Sequence, residues 1–435
     1  NAPFAVVIVS MVTPWVANLL VLKFVTYAPV ILAVLFVMAS KKFFSHMSSS
    51  LGHIIVFLLV IFHVVFSVLT GRGIGSGGTL IIYFLAFLFY YALIISEQNQ
   101  IEINITRYMS FIYLGHLIAL YIELIICLAG FQNILIGLGG SKKIVNSYKS
   151  YNHADFIHFI GFPDVGGLAS LLLGSQSASM LSVIGFFYFV SIYKGGYEKQ
   201  RNLSVFALLM VPFTSTMTSL LMMLLMMLYS VFVLRGSKIG SLKYRILTML
   251  TFVILNGYIY KVIFFKITNI KQFDHYYASF YEPISRFMNF DVVTMIMGEG
   301  ARGRKMLELY GGEGSDFGLM TLINQTGIYL MGMSLFLILY ILYNVNIYVA
   351  RFYKKNNFYN HWCKLAAMNA ICIIGWYISL LHYSTAVEVG GRELFALHIA
   401  VCVFSLRKLK QPSNNVGVSP LHPQDAYVSL MVKHA

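Results

Sequence analysis

The sequence predicts an all-α polytopic membrane protein, one bundle of about twelve transmembrane helices with two large outer loops. Three observations predict it. Only 11% of the residues are charged and 58% are hydrophobic, where a soluble domain carries roughly 25% charged residues. Apolar runs of about 17–25 residues, the length of a membrane-crossing helix, recur along the chain. Lysine and arginine are unevenly shared between alternate loops. The ~10-residue alternating segments of a β-barrel are absent.

In order, Pro3 to Ala39 is long enough for two spans with a turn near Leu22–Val25. Its hydrophobicity runs on to Ser40, so it reads as spanning helix and not as a cleaved signal peptide. A third span is expected at about Leu51–Leu69, a fourth at Thr79–Ile95 after a glycine-rich turn, and a fifth at Met109–Leu128. The first large loop, about 130–166, holds Lys142, Lys143 and Lys149 and no arginine. The sixth span, Leu168–Tyr193, is interrupted at Gly174–Ser177. Leu203–Leu234 is too long for one upright helix, and Pro212 to Thr216 divides it into two short spans. A ninth span runs over Ile246–Phe265 and a tenth over Leu319–Tyr343, with the second large loop, 266–318, between them. Asn344–Lys364 is a basic connection. An eleventh span covers Leu365–Leu381, Glu388–Glu393 makes a turn, and a twelfth ends near Leu406. The bundle thus occupies 1–410. The tail, 411–435, has proline, asparagine and serine with no apolar period and is expected to be disordered.

Twelve spans put both termini on one side. Loops on that side carry 18 Lys and Arg and those opposite carry 12 when Lys261, near the outer end of the ninth span, is counted with them, so the termini are cytoplasmic and the large loops outside. The formal charge of +15 is then an orientation signal and an affinity for anionic lipid, not a nucleic-acid footprint. The four cysteines show no metal-ligand spacing, and neither a disulfide framework nor a metal site is expected.

The second large loop is where chemistry concentrates. Thirteen charged residues fall between Lys266 and Gly318. Within it, Met297-Gly298-Glu299-Gly300-Ala301-Arg302-Gly303-Arg304 sets two arginines among glycines. Glycine lets backbone approach an anion closely, and guanidinium forks grip it in pairs of hydrogen bonds. Ser315-Asp316-Phe317-Gly318 then leads into a membrane helix, and Ser315 or Asp316 can cap it. Each residue also has a bland reading. Arg302 and Arg304 can be headgroup anchors, Asp316 a helix cap, and Asp274-His275 a surface pair. His382, with Glu388 and Arg392, can line a cavity, and Glu123 lies within a span. Met222, Met223, Met226 and Met227 are packing or lipid-facing filler.

The pattern Gly-x-Gly, a variable stretch, then Ser-Asp-x-Gly-Leu and a helix with Gly-Ile resembles the O-antigen polymerases of the Wzy type, which belong with the O-antigen ligases. Arg302 and Gly318 are separated by fifteen residues, as in the family's Arg-x15-Gly motif. The motif covers Met297–Gly332, whereas the topology is similar along most of the chain. Departures are present: lysines stand where relatives carry arginine in the earlier loop, and Thr214-Ser215-Thr216 replaces an arginine after the turn between short spans. Asp316 stands where ligases tend to have histidine, which favours polymerase over ligase.

The resemblance implies a metal-independent glycosyltransferase without cofactor in a bacterial inner membrane, its active loops facing the periplasm. Donor and acceptor would be undecaprenyl-pyrophosphate-linked oligosaccharides, with membrane lipid and a chain-length regulator as partners and no nucleic acid. Arg302, Asp316 and His275 are the expected catalytic residues. Arg304, Arg286, Arg392, His382, Lys142 and Lys143 are expected to bind substrate. A lipid-linked oligosaccharide flippase is the competing class; it would show two similar halves and charges inside the spans, whereas here almost all charges sit in loops.

The topology generates a direct test. In a variant lacking native cysteines, a single cysteine at Ser315 should react with a membrane-impermeant thiol reagent in intact spheroplasts, and one at Asn202 should not. Labelling of both positions from outside overturns the orientation.

Overall fold

The structure is a computed structural model of the chain. It describes residues 2–19, 28–38, 77–98, 104–129, 131, 175–193, 199–214, 217–233, 284–299, 318–356, 361–382 and 390–410, with isolated positions between 62 and 69. Among these every regular element is an α-helix: α1 (Ala2–Leu19), α2 (Ala28–Met38), α3 (Gly77–Gln98), α4 (Ile105–Leu128), α5 (Ser175–Tyr193), α6 (Lys199–Thr214), α7 (Met217–Val233), α8 (Val292–Met297), α9 (Gly318–Asn356), α10 (His361–His382) and α11 (Gly391–Lys410). Four apolar stretches in these helices are long enough to cross a membrane: Leu80–Glu97, Ile105–Ile126, Ile323–Val349 and His361–Ser379. The spans expected at 51–69 and 246–265, the loop at 130–166 and the tail at 411–435 fall outside the described residues.

Several expected boundaries coincide with observed ones. The turn expected near Leu22–Val25 lies outside the described residues; α5 begins at the polar interruption of the sixth span. Helices α6 and α7 stop and restart on either side of residues 215 and 216. Pro212 lies inside the last turn of α6, so the helix ends two residues after the proline instead of before it. Two connections differ from expectation. Helix α9 runs on to Asn356 through the segment read as a basic loop, because polarity alone does not end a helix that has left the hydrocarbon. Helix α11 starts at Gly391, so Arg392 and Glu393 form its first turn and not a connecting turn.

The helices are apolar toward each other and also outward. On α4, Phe111, Ile118, Ile122 and Ile125 are exposed and share one face. On α9 the exposed residues include Ile328, Leu335, Phe336, Leu339, Tyr340 and Tyr343. A protein that faced water would not line whole helix flanks this way; these are the lipid-facing sides of a membrane protein. Polar side chains inside the helices turn back to their own backbone. Ser182 Oγ donates to the Ala178 carbonyl and Ser405 Oγ to Val401, each at 2.7 Å, which satisfies a hydroxyl where water is absent.

Helices α10 and α11 form the centre. They run antiparallel, as their paired positions show: Trp362 on Phe404, Asn369 on His398 and Trp376 on Phe395. Small residues on α10 let neighbours come close. A side chain at Gly375 would meet Met226 Sδ of α7 at 2.7 Å and Ile184 Cγ1 of α5 at 3.0 Å. Three of the methionines expected to be filler, Met222, Met223 and Met226, are buried here. At the other end of α11, Lys408 pairs with Glu97 of α3, and Lys410 lies over the ring of Tyr348 of α9. Helices α3, α9 and α11 therefore run parallel, with α10 opposed to them.

A polar chain crosses the centre of this bundle. Asn369 Nδ2 donates to the Leu365 carbonyl at 2.8 Å, which turns its Oδ1 toward His398 Nδ1 at 2.7 Å. Nδ1 therefore carries the proton, and Nε2 accepts from the Tyr113 hydroxyl at 2.5 Å. All three side chains are buried. Tyr113 in turn stacks on Tyr188 and covers Gly185 of α5. His398→Leu should strand the Tyr113 hydroxyl and the Asn369 amide, at about 1–3 kcal/mol for each buried group. The thermal unfolding midpoint in detergent should fall, and Asn369→Ala added to His398→Leu should lower it little further because the two share one interaction.

Candidate functional site

The described part of the second large loop, residues 284–299, is built around one short capped helix. Asp291 is the N-cap of α8, with extended backbone at φ −65° and ψ 161°. Its Oδ1 accepts from the Val293 and Thr294 amides at 2.9 and 3.0 Å, and its Oδ2 accepts from the Thr294 hydroxyl at 2.5 Å. This is the role aspartate takes at a helix start. Seven residues later Gly298 ends the helix at φ 76°, its amide returning to the Thr294 carbonyl at 2.7 Å. An L side chain rarely adopts that φ.

Helix α8 lies against a break in α9. At Gly327, α9 leaves helical geometry, with φ 75° and ψ 167°. The two glycines sit backbone to backbone. A Cβ on Gly298 would lie 2.6 Å from the Gly327 amide nitrogen, and one on Gly327 would lie 2.6 Å from that of Gly298. The break withdraws intrahelical donors from the carbonyls of the turn before it. One of these, Asn324 O, accepts instead from the Glu299 amide at 2.8 Å. A broken membrane helix persists where something else satisfies its freed backbone groups, and here the loop does so. Asn324 and Thr326, on the turn before the break, are both buried.

Around this junction the surface is amphiphilic. Ile284, Met288, Val292, Val293 and Ile296 expose apolar side chains. Beside them Arg286 Nη2 donates to Glu299 Oε2 at 2.5 Å, with both side chains about four-fifths covered (23% and 20% exposed). From Glu299 the sequence continues directly into Gly300, Arg302 and Arg304 of the glycine-arginine run.

Of the expected site residues, Arg286 stands at this junction. Arg392 does not share its setting. Its Nε donates to Glu393 Oε1 at 2.6 Å, and both side chains are buried in the first turn of α11. Glu393 Oε2 also accepts from the Gly390 amide at 2.7 Å, the reach-back of a glutamate at the third helical position. The pair thus caps α11. His382 is the last residue of α10, on the same end of the bundle as the start of α9 and α11. Arg302, Arg304, Asp316, His275, Lys142 and Lys143 lie outside the described residues. Glu123 is buried within α4. Asn324 was not singled out in the sequence, and Gly327 entered only through the Gly-Ile pattern; the signal that finds the break is a glycine nine residues into an apolar run, directly after Asn-Gln-Thr.

Comparison with family models, with curated proteins and with solved structures found no match to this chain.

The glycine contact predicts a shared failure. Gly298→Ala and Gly327→Ala should each push the two backbones apart, adding about 1–3 kcal/mol of backbone strain to the clash. Hydrogen exchange should then speed up at the Glu299 amide in either variant, and the double variant should lose little more than one.

Proposed function

We propose that this protein is a twelve-span polymerase of a bacterial inner membrane. It would join lipid-pyrophosphate-linked oligosaccharide repeats, such as those of O-antigen, at the periplasmic face. The observation that supports this most is the junction at Gly327. A loop rich in arginine and glycine is tied to a broken membrane helix next to exposed apolar side chains. A polyisoprenyl pyrophosphate needs both features at one place: apolar surface for its tail and guanidinium groups for its headgroup. Arg302 follows Glu299 by three residues, so covalent geometry keeps its Cα within about 11 Å of the anchored position.

In this reading the growing chain on its lipid pyrophosphate is the donor, and one lipid-linked repeat is the acceptor. The acceptor hydroxyl oxygen bonds to the anomeric carbon of the donor sugar. The bond from that carbon to the pyrophosphate oxygen breaks, and the leaving group takes the electron pair. Arg302 stabilises the charge that grows there, acting where the transition state differs from the ground state. Asp316 and His275 remain candidates for positioning the acceptor, and Arg304, Arg286, Lys142 and Lys143 for holding substrate charge. The scheme calls on no metal and no cofactor.

Removing one such donor typically lowers rate by about 10²–10³. Arg302→Ala should leave lipopolysaccharide capped by a single repeat, with no ladder on a gel, while the protein still reaches the membrane. Arg302→Lys keeps the charge but loses the fork and should be impaired to a lesser degree. A normal ladder from Arg302→Ala at wild-type expression removes Arg302 from the site. Loss of all repeats outside the cell on deletion of the gene speaks for a flippase.

A further inference from the structure

We infer that Glu299 is the group that takes the proton from the acceptor hydroxyl, with Arg286 as its positioning residue; this rests on the polymerase reading above. The argument begins with what each described carboxylate already does. Asp291 is spent on the α8 N-cap through both oxygens. Glu393 is buried and caps α11. Glu123 is buried within α4. Glu97 pairs with Lys408 at the opposite end of the bundle. Glu299 alone among these five stands partly open beside the glycine-arginine run.

Its side chain is also spared from holding the fold. The loop is tied down by backbone: the Gly298–Gly327 contact and the Glu299 amide on Asn324 O. The ion pair engages Oε2, and among the described residues Oε1 accepts no hydrogen bond. A partly exposed ion pair contributes little stability, about 0–1 kcal/mol. What it does provide is aim. Arg286 fixes one oxygen of a carboxylate whose Cα is already fixed by its own amide.

Among the described residues the charged groups around it are few. The helical turn at 284–288 contributes Arg286, and the N-cap of α8 contributes Asp291. Helix α8 has no charged residue, and neither has α9 before Arg351. The proton balance is simple. As the new C–O bond forms and the pyrophosphate leaves with its electron pair, the hydroxyl proton passes to the Glu299 carboxylate, which later gives it to water.

The test uses the full-length protein in lipid nanodiscs, with a synthetic polyisoprenyl-pyrophosphate oligosaccharide as donor and acceptor. Glu299→Gln keeps the backbone tether, so Glu299 amide exchange should stay slow while kcat falls about 10²–10⁴-fold with little change in KM. Glu299→Asp should recover part of the wild-type kcat. Arg286→Gln should lower kcat less than Glu299→Gln does, with little change in KM, and Arg286→Lys should restore most of the loss. Near-wild-type kcat in Glu299→Gln overturns the assignment while leaving the polymerase reading intact. Equal losses in Glu299→Gln and Arg286→Gln, with no recovery in Glu299→Asp or Arg286→Lys, reduce the pair to a structural contact and also overturn it. Absence of transfer by the wild-type protein removes the polymerase reading and this proposal together.

Discussion

A helix broken inside an apolar run has to hand its unpaired backbone groups to a partner. That requirement organises the described part of this protein. At Gly327 the chain of α9 opens, and the amide that fills the gap comes from Glu299, 28 positions earlier. The donor can get that close only because the two facing residues are both glycine. Helix α8, its Asp291 cap and the Arg286–Glu299 pair follow from the same contact, since each is positioned by what is anchored there. The loop is thus held by main chain, which leaves its side chains available for other roles.

The centre of the bundle solves a different problem. Helix α11 carries Arg392, Glu393, His398 and Ser405, and it is also among the most thoroughly buried helices described. A helix surrounded by other helices need not be as apolar as one that touches lipid, provided its polar atoms are paired. Here they are paired by the first-turn cap, by Asn369 and Tyr113, and by a backbone carbonyl of its own preceding turn. Hydropathy read along the chain therefore ranks lowest for a helix that packing makes central.

Much of the fold was legible because its signals are local. Run length marked α3, α4 and α10, and the Pro212–Thr216 segment marked the division between α6 and α7. The ends of α9 and α11 were harder to place, since a basic helix beyond the bilayer and a basic loop have similar composition. In the site, the glycine-arginine segment was conspicuous from composition alone. The partner of that segment was not, because the Gly298–Gly327 contact joins two positions whose meaning appears only when both backbones are in place. Glu299 was passed over for a related reason: between two glycines it reads as a spacer, and its distinction lies in what its amide and carboxylate touch. Arg392 illustrates the converse. Its type and position suggested substrate binding, and its neighbour in sequence turned out to hold it.

The break also acts as a ruler. After Gln325, the next amide side chain along α9 is Asn344. Counting back about 20 residues, the ~30 Å of a hydrocarbon core at 1.5 Å per residue, arrives at Asn324 and Gln325. In the membrane orientation proposed above, that level is where acyl chains give way to headgroups, and the break at Gly327 lies within one turn of it. A lipid embedded in the outer leaflet carries its first phosphate at that same level. The loop would then meet such a molecule without lifting it from the bilayer, and the sugar beyond the phosphate would already lie in water.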